Sequence, residues 1–314
     1  MEKVIIVDEK KIRSILPHVD LKGSIHRAFS GLADNSNVQP LTVVMDFPAG
    51  KGDCWVQTGS APTIGICGAT VTPFIPARKD HGLDPATAFS MLVSSETGEL
   101  LMVCDSGYLV KVRTAATTAI AIDYLAPADA KTLAIIGLGP IGLEHLRLET
   151  ARGTYENVRV FSPSPEKRKA AVSALAPNII FCADIKSAVR GADVVILCTG
   201  ATAPVLDIAD IKTGALVVST ASDGAGCEID PAALNDMDVY CDYIHSAPHK
   251  AHDFKSAEQQ YNWRRERIIA DLADLCSGRK QAVSSGKVRY WRSCGMGLQD
   301  LAACKAVYDV MQSS

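Results

Sequence analysis

The most informative chemical motif of this chain is a glycine-rich turn near its middle. Residues 134–142 read Ala-Ile-Ile-Gly-Leu-Gly-Pro-Ile-Gly, a GxGxxG pattern that directly follows a strand-like run and directly precedes a helix-like one. The first glycine of such a pattern makes a tight turn, the second lets backbone approach a pyrophosphate, and the third lets helix and strand touch. An ordinary turn before a helix is the alternative, but the surrounding alternation of strands and helices favours a dinucleotide site. Its predicted contacts are Gly137, Leu138, Gly139, Pro140, Ile141 and Gly142.

The residues after the second strand of this region bear on the choice between NADP and NAD. An NAD site usually has a carboxylate there, which accepts a hydrogen bond from the ribose 2′-hydroxyl. Here the strand is followed by Ser-Pro-Ser-Pro-Glu-Lys-Arg, with no carboxylate at its tip. Ser162 and Ser164 could donate to a 2′-phosphate whose charge Lys167, Arg168 or Lys169 would neutralise. The pattern favours NADP and leaves NAD possible, since a solvated helical turn with lysines would look the same.

The glycine turn lies in a stretch where short apolar runs, mostly β-branched, alternate with helix-like segments. This alternation predicts an α/β fold with a doubly wound parallel sheet of the Rossmann type. Thr199 follows the fourth strand, where its loop should lean on the cofactor. The expected strands are 133–136, 158–161, 179–182, 194–198 and 216–220, and the expected helices are 141–152, 165–176 and 185–189, with further helices near 246–259, 264–276 and 298–311.

The first 125 residues have a different texture, which predicts an α+β domain. An amphipathic helix is expected over 14–32 and a long alanine- and threonine-rich helix over 112–125. Thr97-Gly98 should form a hairpin turn between two of the strands. The strands expected in this part are 41–47, 55–58, 64–71, 88–94 and 100–104.

Composition narrows the class of protein. The chain has 314 residues, 47% of them hydrophobic and 21% charged, which is ample for a compact core. With 35 acidic and 32 basic residues the net charge is −3, so that nucleic acid and anionic membranes are poor partners. No apolar run is long enough for a signal peptide or a membrane span, so we expect no membrane association.

The cysteines and histidines favour a structural interpretation over a metal site. The ten cysteines include no CxxC pair and mostly lie in apolar runs, as expected of buried thiols in a reducing cytoplasm. His245, His249 and His252 include helical H-x3-H spacing, but no carboxylate or thiolate stands at the spacing that zinc proteases use, and Pro248 interrupts the segment. We therefore expect a cytoplasmic protein with no bound metal.

Three further phrases resemble the ornithine cyclodeaminase/mu-crystallin family, which also includes archaeal-type alanine dehydrogenases, ketimine reductases and opine-type amino acid synthases. Each phrase alone is weakly specific, but their order around the GxGxxG turn matches that family over nearly the whole chain. They are Thr-Gly-Glu-Leu at 97–100 leading to Val-Arg-Thr-Ala-Ala at 112–116, Ala-Ser-Asp-Gly at 221–224 with Glu-Ile-Asp-Pro at 228–231, and Arg-Ser-Cys-Gly-Met-Gly-Leu-Gln-Asp at 292–300.

The resemblance implies a substrate-binding and dimerisation domain over 1–125 with a return segment at 298–314, and a dinucleotide-binding Rossmann domain over 126–297. It also implies a homodimer and an active site in the cleft between the domains. The implied activity is that of an NAD(P)-dependent oxidoreductase acting on a carbon–nitrogen bond of an imino or amino acid, as an imine reductase or an amino acid dehydrogenase. Two alternatives stay open: a cyclodeaminase that releases ammonia, and a non-catalytic NADPH-dependent binding protein of the mu-crystallin type.

The same resemblance implies roles for individual residues. Arg113 matches the family arginine that grips the substrate carboxylate, although it could instead only pair or cap near a helix start. Asp223 matches the catalytic aspartate, a general acid or base at the substrate nitrogen, although Asp-Gly is often just a turn. Thr114 falls near the cofactor phosphates. The remaining implied contacts are Ser222, Ser293 and Met296 with the cofactor and Gly295 with the substrate.

Two positions depart from the family pattern. Thr70 stands where the family usually has a lysine that polarises the substrate, and it is assigned here to substrate binding. Leu41 stands where a second substrate arginine is usual. A single cationic anchor remains, which puts a standard dicarboxylate or ornithine complex in doubt. Arg78, Lys79 or Lys111 could substitute in space.

Overall fold

The computed structural model describes residues 4–176, 179–220 and 226–313. The chain divides into two compact units, one formed by Met1–Thr117 with Gly295–Ser314 and the other by Thr118–Cys294. The first unit is thus assembled from both ends of the chain. The limits expected from sequence, at 125/126 and 297/298, fall near these divisions, and the roles assigned to the two domains stay predictions.

The first unit is built on a six-stranded sheet. Its strands run in the order β1-β6-β5-β4-β3-β2, antiparallel except for the parallel pair β1 and β6. In chain order the elements of this part are β1 (Ile5–Val7), α1 (Glu9–Ile15), α2 (Leu21–Ser30), β2 (Val43–Asp46), β3 (Asp53–Ala61), β4 (Ile66–Phe74), β5 (Phe89–Ser94), β6 (Leu100–Asp105) and α3 (Gly107–Leu125), in which the division between the units falls.

The second unit contains one parallel sheet of eight strands. The elements are β7 (Thr132–Ile136), α4 (Pro140–Arg152), β8 (Asn157–Phe161), α5 (Lys169–Ser173), β9 (Ile179–Phe181), α6 (Ile185–Val189), β10 (Val194–Leu197), β11 (Leu216–Ser219), β12 (Asp238–Cys241), α7 (Ala247–Lys250), α8 (His252–Gln260), β13 (Ile268–Asp271), α9 (Leu272–Cys276) and β14 (Arg289–Arg292). The strand order is β9-β8-β7-β10-β11-β14-β12-β13. The order reverses between β7 and β10, which is the switch point of a doubly wound Rossmann sheet. The predicted α/β fold class is confirmed.

The last helix, α10 (Gly297–Gln312), belongs to the first unit and covers one face of its sheet. Its close approach depends on two glycines of the sheet: a Cβ at Gly59 would lie 3.1 Å from the backbone nitrogen of Leu298, and one at Gly68 would meet the Leu301 side chain at a similar distance. Ser24 of α2 donates a hydrogen bond to the Ala302 carbonyl at 2.7 Å, which fixes the two helices together.

Two helix predictions are wrong in part. The helix expected over 14–32 is interrupted, because Pro17 stands in a 3-10 turn between α1 and α2. Asp8 and Asp20 cap the two separate helices through hydrogen bonds from Lys11 N and Gly23 N. The helix expected over 264–276 is instead strand β13 followed by the short helix α9. Strands β12 and β14 were not expected.

None of the helices in the described part of the chain combines the length and the apolar character that crossing a bilayer requires.

Candidate functional site

The glycine turn between β7 and α4 contains three glycines that differ in what surrounds them. At Gly137, φ is +99° and a Cβ would lie 2.5 Å from the Cys198 carbonyl oxygen. At Gly142 a Cβ would lie 1.9 Å from the Gly137 oxygen, so helix and strand are in contact there. At Gly139 a Cβ would meet no described atom within 4 Å. The first and third glycines are therefore required by the fold, whereas the second faces open space.

The amino terminus of α4 is open to an anion. Gly139 is the N-cap residue and offers no side-chain hydrogen bond, and Pro140 occupies the first helical position. The early N–H groups of a helix have no partner within the helix and carry partial positive charge. Leu138 is buried beneath the turn, and Ile141 is half-buried. Open space at Gly139 and an uncapped helix start fit the pyrophosphate of a dinucleotide.

A buried carboxylate, Glu228, holds the carboxyl ends of β10 and β11. Its Oε1 accepts hydrogen bonds from the Thr199 backbone N–H and from Thr199 Oγ1, and its Oε2 accepts one from Ser219 Oγ, all at 2.7 Å. The hydroxyl proton of Thr199 is thus donated to Glu228, so this hydroxyl could contact a cofactor only as an acceptor. The sequence showed Glu228 only as part of a phrase, since nothing in it reveals that these strand ends converge.

His145 lies in α4, about one turn after the start of the helix, and no role was predicted for it from sequence. Its Nδ1 is 2.9 Å from the Ile141 carbonyl oxygen, and its Nε2 is 2.9 Å from Thr118 Oγ1. A carbonyl can only accept, so Nδ1 carries the proton and Nε2 accepts from the threonine hydroxyl. Burial lowers the pKa of this histidine from 6.5 to about 4. The imidazole is therefore neutral at physiological pH and fixes the first turn of α4.

The residues predicted to bind a 2′-phosphate follow β8, the neighbour of β7. Ser162 is half-buried, and Ser164 and Arg168 are exposed. The chain continues in a 3-10 turn at Pro165–Lys167 and only then in α5, not in one long helix. Hydroxyl and guanidinium donors are thus available after the carboxyl end of β8.

In the first unit, the buried guanidinium of Arg113 is the centre of a polar cluster. Its Nε donates to Asp300 Oδ1 at 2.6 Å, and its Nη1 donates to Gln299 Oε1 at 2.9 Å. Gly295 has a φ of +70°, and a Cβ there would lie 3.1 Å from both Nη1 and Nη2. The structure thus brings Arg113 and Gly295 together and adds two partners, Gln299 and Asp300, that had no assigned role.

Thr70 belongs to a separate chain of hydroxyl groups. It is fully buried, and its Oγ1 lies 2.8 Å from Ser90 Oγ, which in turn donates to Ser106 Oγ at 2.8 Å. Hydroxyls in such a chain satisfy one another, so the position of the family lysine is occupied by a neutral network. Leu41, at the position of the second arginine, is exposed.

The cations that could replace the missing ones have other partners or lie at the surface. Arg78 Nε donates to the Asp84 carbonyl at 2.8 Å, and Lys111 Nζ forms an ion pair with the Asp84 carboxylate. Lys79 is exposed in the same segment. Asp84 thus binds two of the three cations, Arg78 and Lys111, that could have replaced the missing family lysine and arginine.

The remaining predicted contacts are mostly buried. Thr114 donates its hydroxyl to the Val110 carbonyl of its own helix at 2.8 Å. Ser293 accepts a hydrogen bond at its carbonyl from Arg292, and Met296 is the buried N-cap residue of α10. Ser222 and Asp223 lie outside the described residues.

Comparisons with known proteins place this arrangement among dinucleotide-dependent enzymes. Residues 5–314 match the model of the ornithine cyclodeaminase/mu-crystallin family. The NAD(P)H-dependent anabolic L-arginine dehydrogenase DauB of Pseudomonas aeruginosa is 35% identical over 311 residues, 98% of each chain. The rat ketimine reductase mu-crystallin is 27% identical over 286 residues, 91% of this chain and 89% of the relative.

Solved structures share the fold. A Thermococcus litoralis Δ1-pyrroline-2-carboxylate reductase, solved with NADH and L-proline, superposes with a TM-score of 0.92 at 20% identity and covers 99% of this chain and 98% of its own. The iminosuccinate reductase of Paracoccus denitrificans, solved with NAD+, has a TM-score of 0.89 at 22% identity, with 99% and 97% covered.

Proposed function

Because the chain belongs to the ornithine cyclodeaminase/mu-crystallin family, we propose that it is an NAD(P)-dependent oxidoreductase acting on a carbon–nitrogen bond of an imino or amino acid. The observation that carries the proposal is the glycine turn on the Rossmann sheet, where Gly139 leaves open space beside an uncapped helix start. A cyclodeaminase and a non-catalytic binder would need the same turn. The reaction that the protein catalyses, if measured, therefore distinguishes the oxidoreductase from these two alternatives.

The chain's own residues orient the cofactor, which when bound supplies or accepts a hydride at its nicotinamide. The start of α4 receives the pyrophosphate, and Glu228 and His145 keep the surrounding backbone in place. Ser162, Ser164 and Arg168 bind the 2′-phosphate in this proposal, so NADP is preferred over NAD.

Two side chains act on the substrate in this proposal. In the reductive direction, the hydride adds to the carbon of a C=N bond and a proton goes to the nitrogen. Arg113 binds the substrate carboxylate, a task suited to a guanidinium. Asp223 delivers the proton, an assignment that rests on its match to the family phrase at 221–224.

We also propose a homodimer formed through the first unit. Val43, Val56, Val71 and Phe89 lie side by side across strands β2 to β5, and Met91 follows on the same face. Phe89 and Met91 are 50% and 46% exposed, on the face opposite α10. A row of apolar side chains exposed at Val43, Val71, Phe89 and Met91 is unusual in a monomer. We call the surface defined by these four residues and Val56 the outer face.

A cytoplasmic location is part of the same proposal. All ten cysteines are described and none forms a disulfide, and six of them are buried. Thiols retained in this way are typical of a reducing compartment.

The test is oxidation of NADPH and NADH, followed by absorbance, with a panel of cyclic imines and of 2-oxo acids plus ammonia or amines. L-Arginine oxidation is the first reverse reaction to try, given the arginine dehydrogenase relative. Asp223→Asn should abolish turnover and leave cofactor affinity unchanged. Tight cofactor binding without turnover of any compound would support the non-catalytic binder, and ammonia release from ornithine without net cofactor consumption would support the cyclodeaminase.

A further inference from the structure

Gln299 carries a buried amide group whose Nε2 has no hydrogen-bond partner in the part of the chain that the structure describes. Its side chain is almost completely buried, in the first turn of α10. Its Oε1 accepts a hydrogen bond from Arg113 Nη1, and since a guanidinium has no acceptor the amide cannot be turned the other way. A buried donor without a partner is rare in native proteins, and a bound ligand that supplies the acceptor is one explanation for it.

Arg113 presents a second donor beside it. The hydrogen bonds to Asp300 and Gln299 use Nε and Nη1, and Nη2 has no hydrogen-bond partner among residues 4–176, 179–220 and 226–313. Gly295 keeps this end of the guanidinium clear, because any Cβ there would lie 3.1 Å from Nη2. Nη2 belongs to Arg113 and Nε2 to Gln299, and the hydrogen bond from Arg113 Nη1 to Gln299 Oε1 holds these two side chains side by side. One ligand can therefore reach both donors.

The charge around these donors shows what they can bind. The Asp300 side chain is 1% exposed and already pairs with Arg113, so the buried pair has no net charge. Because the pair carries no net positive charge, an anion needs further hydrogen-bond donors in order to bind here. The neutral amide of Gln299 is one such donor. The start of α10, a helix of 16 residues whose N-cap residue Met296 makes no side-chain hydrogen bond, adds partial positive charge at the same place.

We propose that Gln299 is a substrate-binding residue whose Nε2 binds, together with Nη2 of Arg113, the carboxylate of the imino or amino acid. The inference rests on the proposed function and adds to it a residue that acts as the neutral half of a carboxylate site. Asp300 is a positioning residue in this scheme, since it holds Arg113 through Nε and leaves the other end free.

The experiment compares two replacements of Gln299 in the full-length protein. Gln299→Glu keeps an acceptor for Arg113 Nη1 but replaces the donor with a carboxylate oxygen, and Gln299→Met removes both at similar length. We expect each to raise KM for the carboxylate substrate about ten- to a hundredfold, as for a lost hydrogen bond to a charged group, with Gln299→Glu the more severe. The Kd for NADPH should not change, and kcat should change less than KM.

A matched control separates binding from helix placement. Gln39 Oε1 accepts a hydrogen bond from Leu298 N in the same turn of α10, so Gln39→Met loses a structural contact there without removing a donor from the site. The second readout is selectivity for an amino acid over its carboxamide, for which L-arginine and L-argininamide are the probes. Wild-type protein should prefer the carboxylate, and Gln299→Glu should lose that preference.

Three results would overturn the inference: a wild-type KM in Gln299→Met, a KM increase of the same size in Gln39→Met, or unchanged selectivity in Gln299→Glu. Failure of the proposed function is seen separately, as absence of turnover by the wild-type protein with every compound of the panel, and the role of Gln299 would then fall with it.

Discussion

Acid should destabilise the second unit through the side chain of His145. Its neutral imidazole donates to the Ile141 carbonyl and accepts from Thr118, and burial lowers its pKa from 6.5 to about 4. Between these two values the unfolded chain binds a proton that the folded chain does not. The stability that depends on neutral His145 is therefore fully present above about pH 6.5 and is lost as the pH falls towards 4.

The size of the effect follows from the same two pKa values. Each unit of pKa difference corresponds to about 1.4 kcal/mol, so the full shift of His145 corresponds to about 3 kcal/mol. Because neither state is completely titrated at the ends of a practical range, about 2 kcal/mol of this should be lost between about pH 7 and pH 4.5. This is a large part of the stability of a typical domain.

The assay is urea unfolding followed by tryptophan fluorescence. Trp263 and Trp291 are both completely buried in the second unit, and a Trp55→Phe background removes the tryptophan of the first. We expect His145→Gln to be less stable near neutral pH but to lose about 2 kcal/mol less on acidification than the parent protein. His81→Gln, an exposed histidine of the first unit, controls for replacement of any histidine. Equal acid losses in the parent and His145→Gln would refute the reasoning.

Three further predictions concern other parts of the molecule. Gly139→Ala should fold normally, since its Cβ meets no described atom within 4 Å, but it should weaken NADPH binding at least roughly tenfold in a fluorescence titration. Gly142→Ala should instead lower the thermal unfolding temperature, because its Cβ would meet the Gly137 oxygen. Glu228→Ala should cost about 1–3 kcal/mol in chemical denaturation, because Thr199 N and Ser219 Oγ lose their acceptor, and a wild-type stability would contradict this. Phe89→Glu on the outer face should give a monomer in sedimentation velocity, and an unchanged dimer would place the interface elsewhere.

Strands β7, β10 and β11 could be predicted from sequence because each is a short, fully buried apolar run rich in β-branched residues, a composition typical of buried parallel strands. Strands β8 and β9 are less buried but continue the same alternation. Strands β12 and β14 were not predicted, because β12 begins with a charged residue and β14 has an arginine at each end. Arg292 ends β14, and its buried guanidinium pairs with Asp253 of α8 at 3.1 Å. Asp238 begins β12 and is bound by Ser285, which lies far away in the sequence. Tertiary partners that the sequence does not reveal turn these polar runs into interior strands.

The candidate site shows the same division. The glycine turn is local, so the spacing of Gly137, Gly139 and Gly142 was enough to predict it. Glu228 and Gln299 lie in phrases of the family resemblance, but their roles could not be predicted, since each binds groups that the fold brings from other elements. Asp271 illustrates how misleading a local view can be: it ends β13 and caps α9 through the Asp274 N–H, in a run that resembles one continuous helix.

The absence of a lysine at position 70 has a physical interpretation. A lysine at position 70 would place a charge in a fully buried environment, and the hydroxyls of Ser90 and Ser106 that line it offer no countercharge. The guanidinium of Arg113 itself pairs with the buried carboxylate of Asp300. The site proposed above supplies donors for one carboxylate, namely Arg113 Nη2, Gln299 Nε2 and the start of α10, and it includes no second cation for another carboxylate. Substrates with a single carboxylate should bind better than dicarboxylates, and binding should depend less on ionic strength than in a site with three cations.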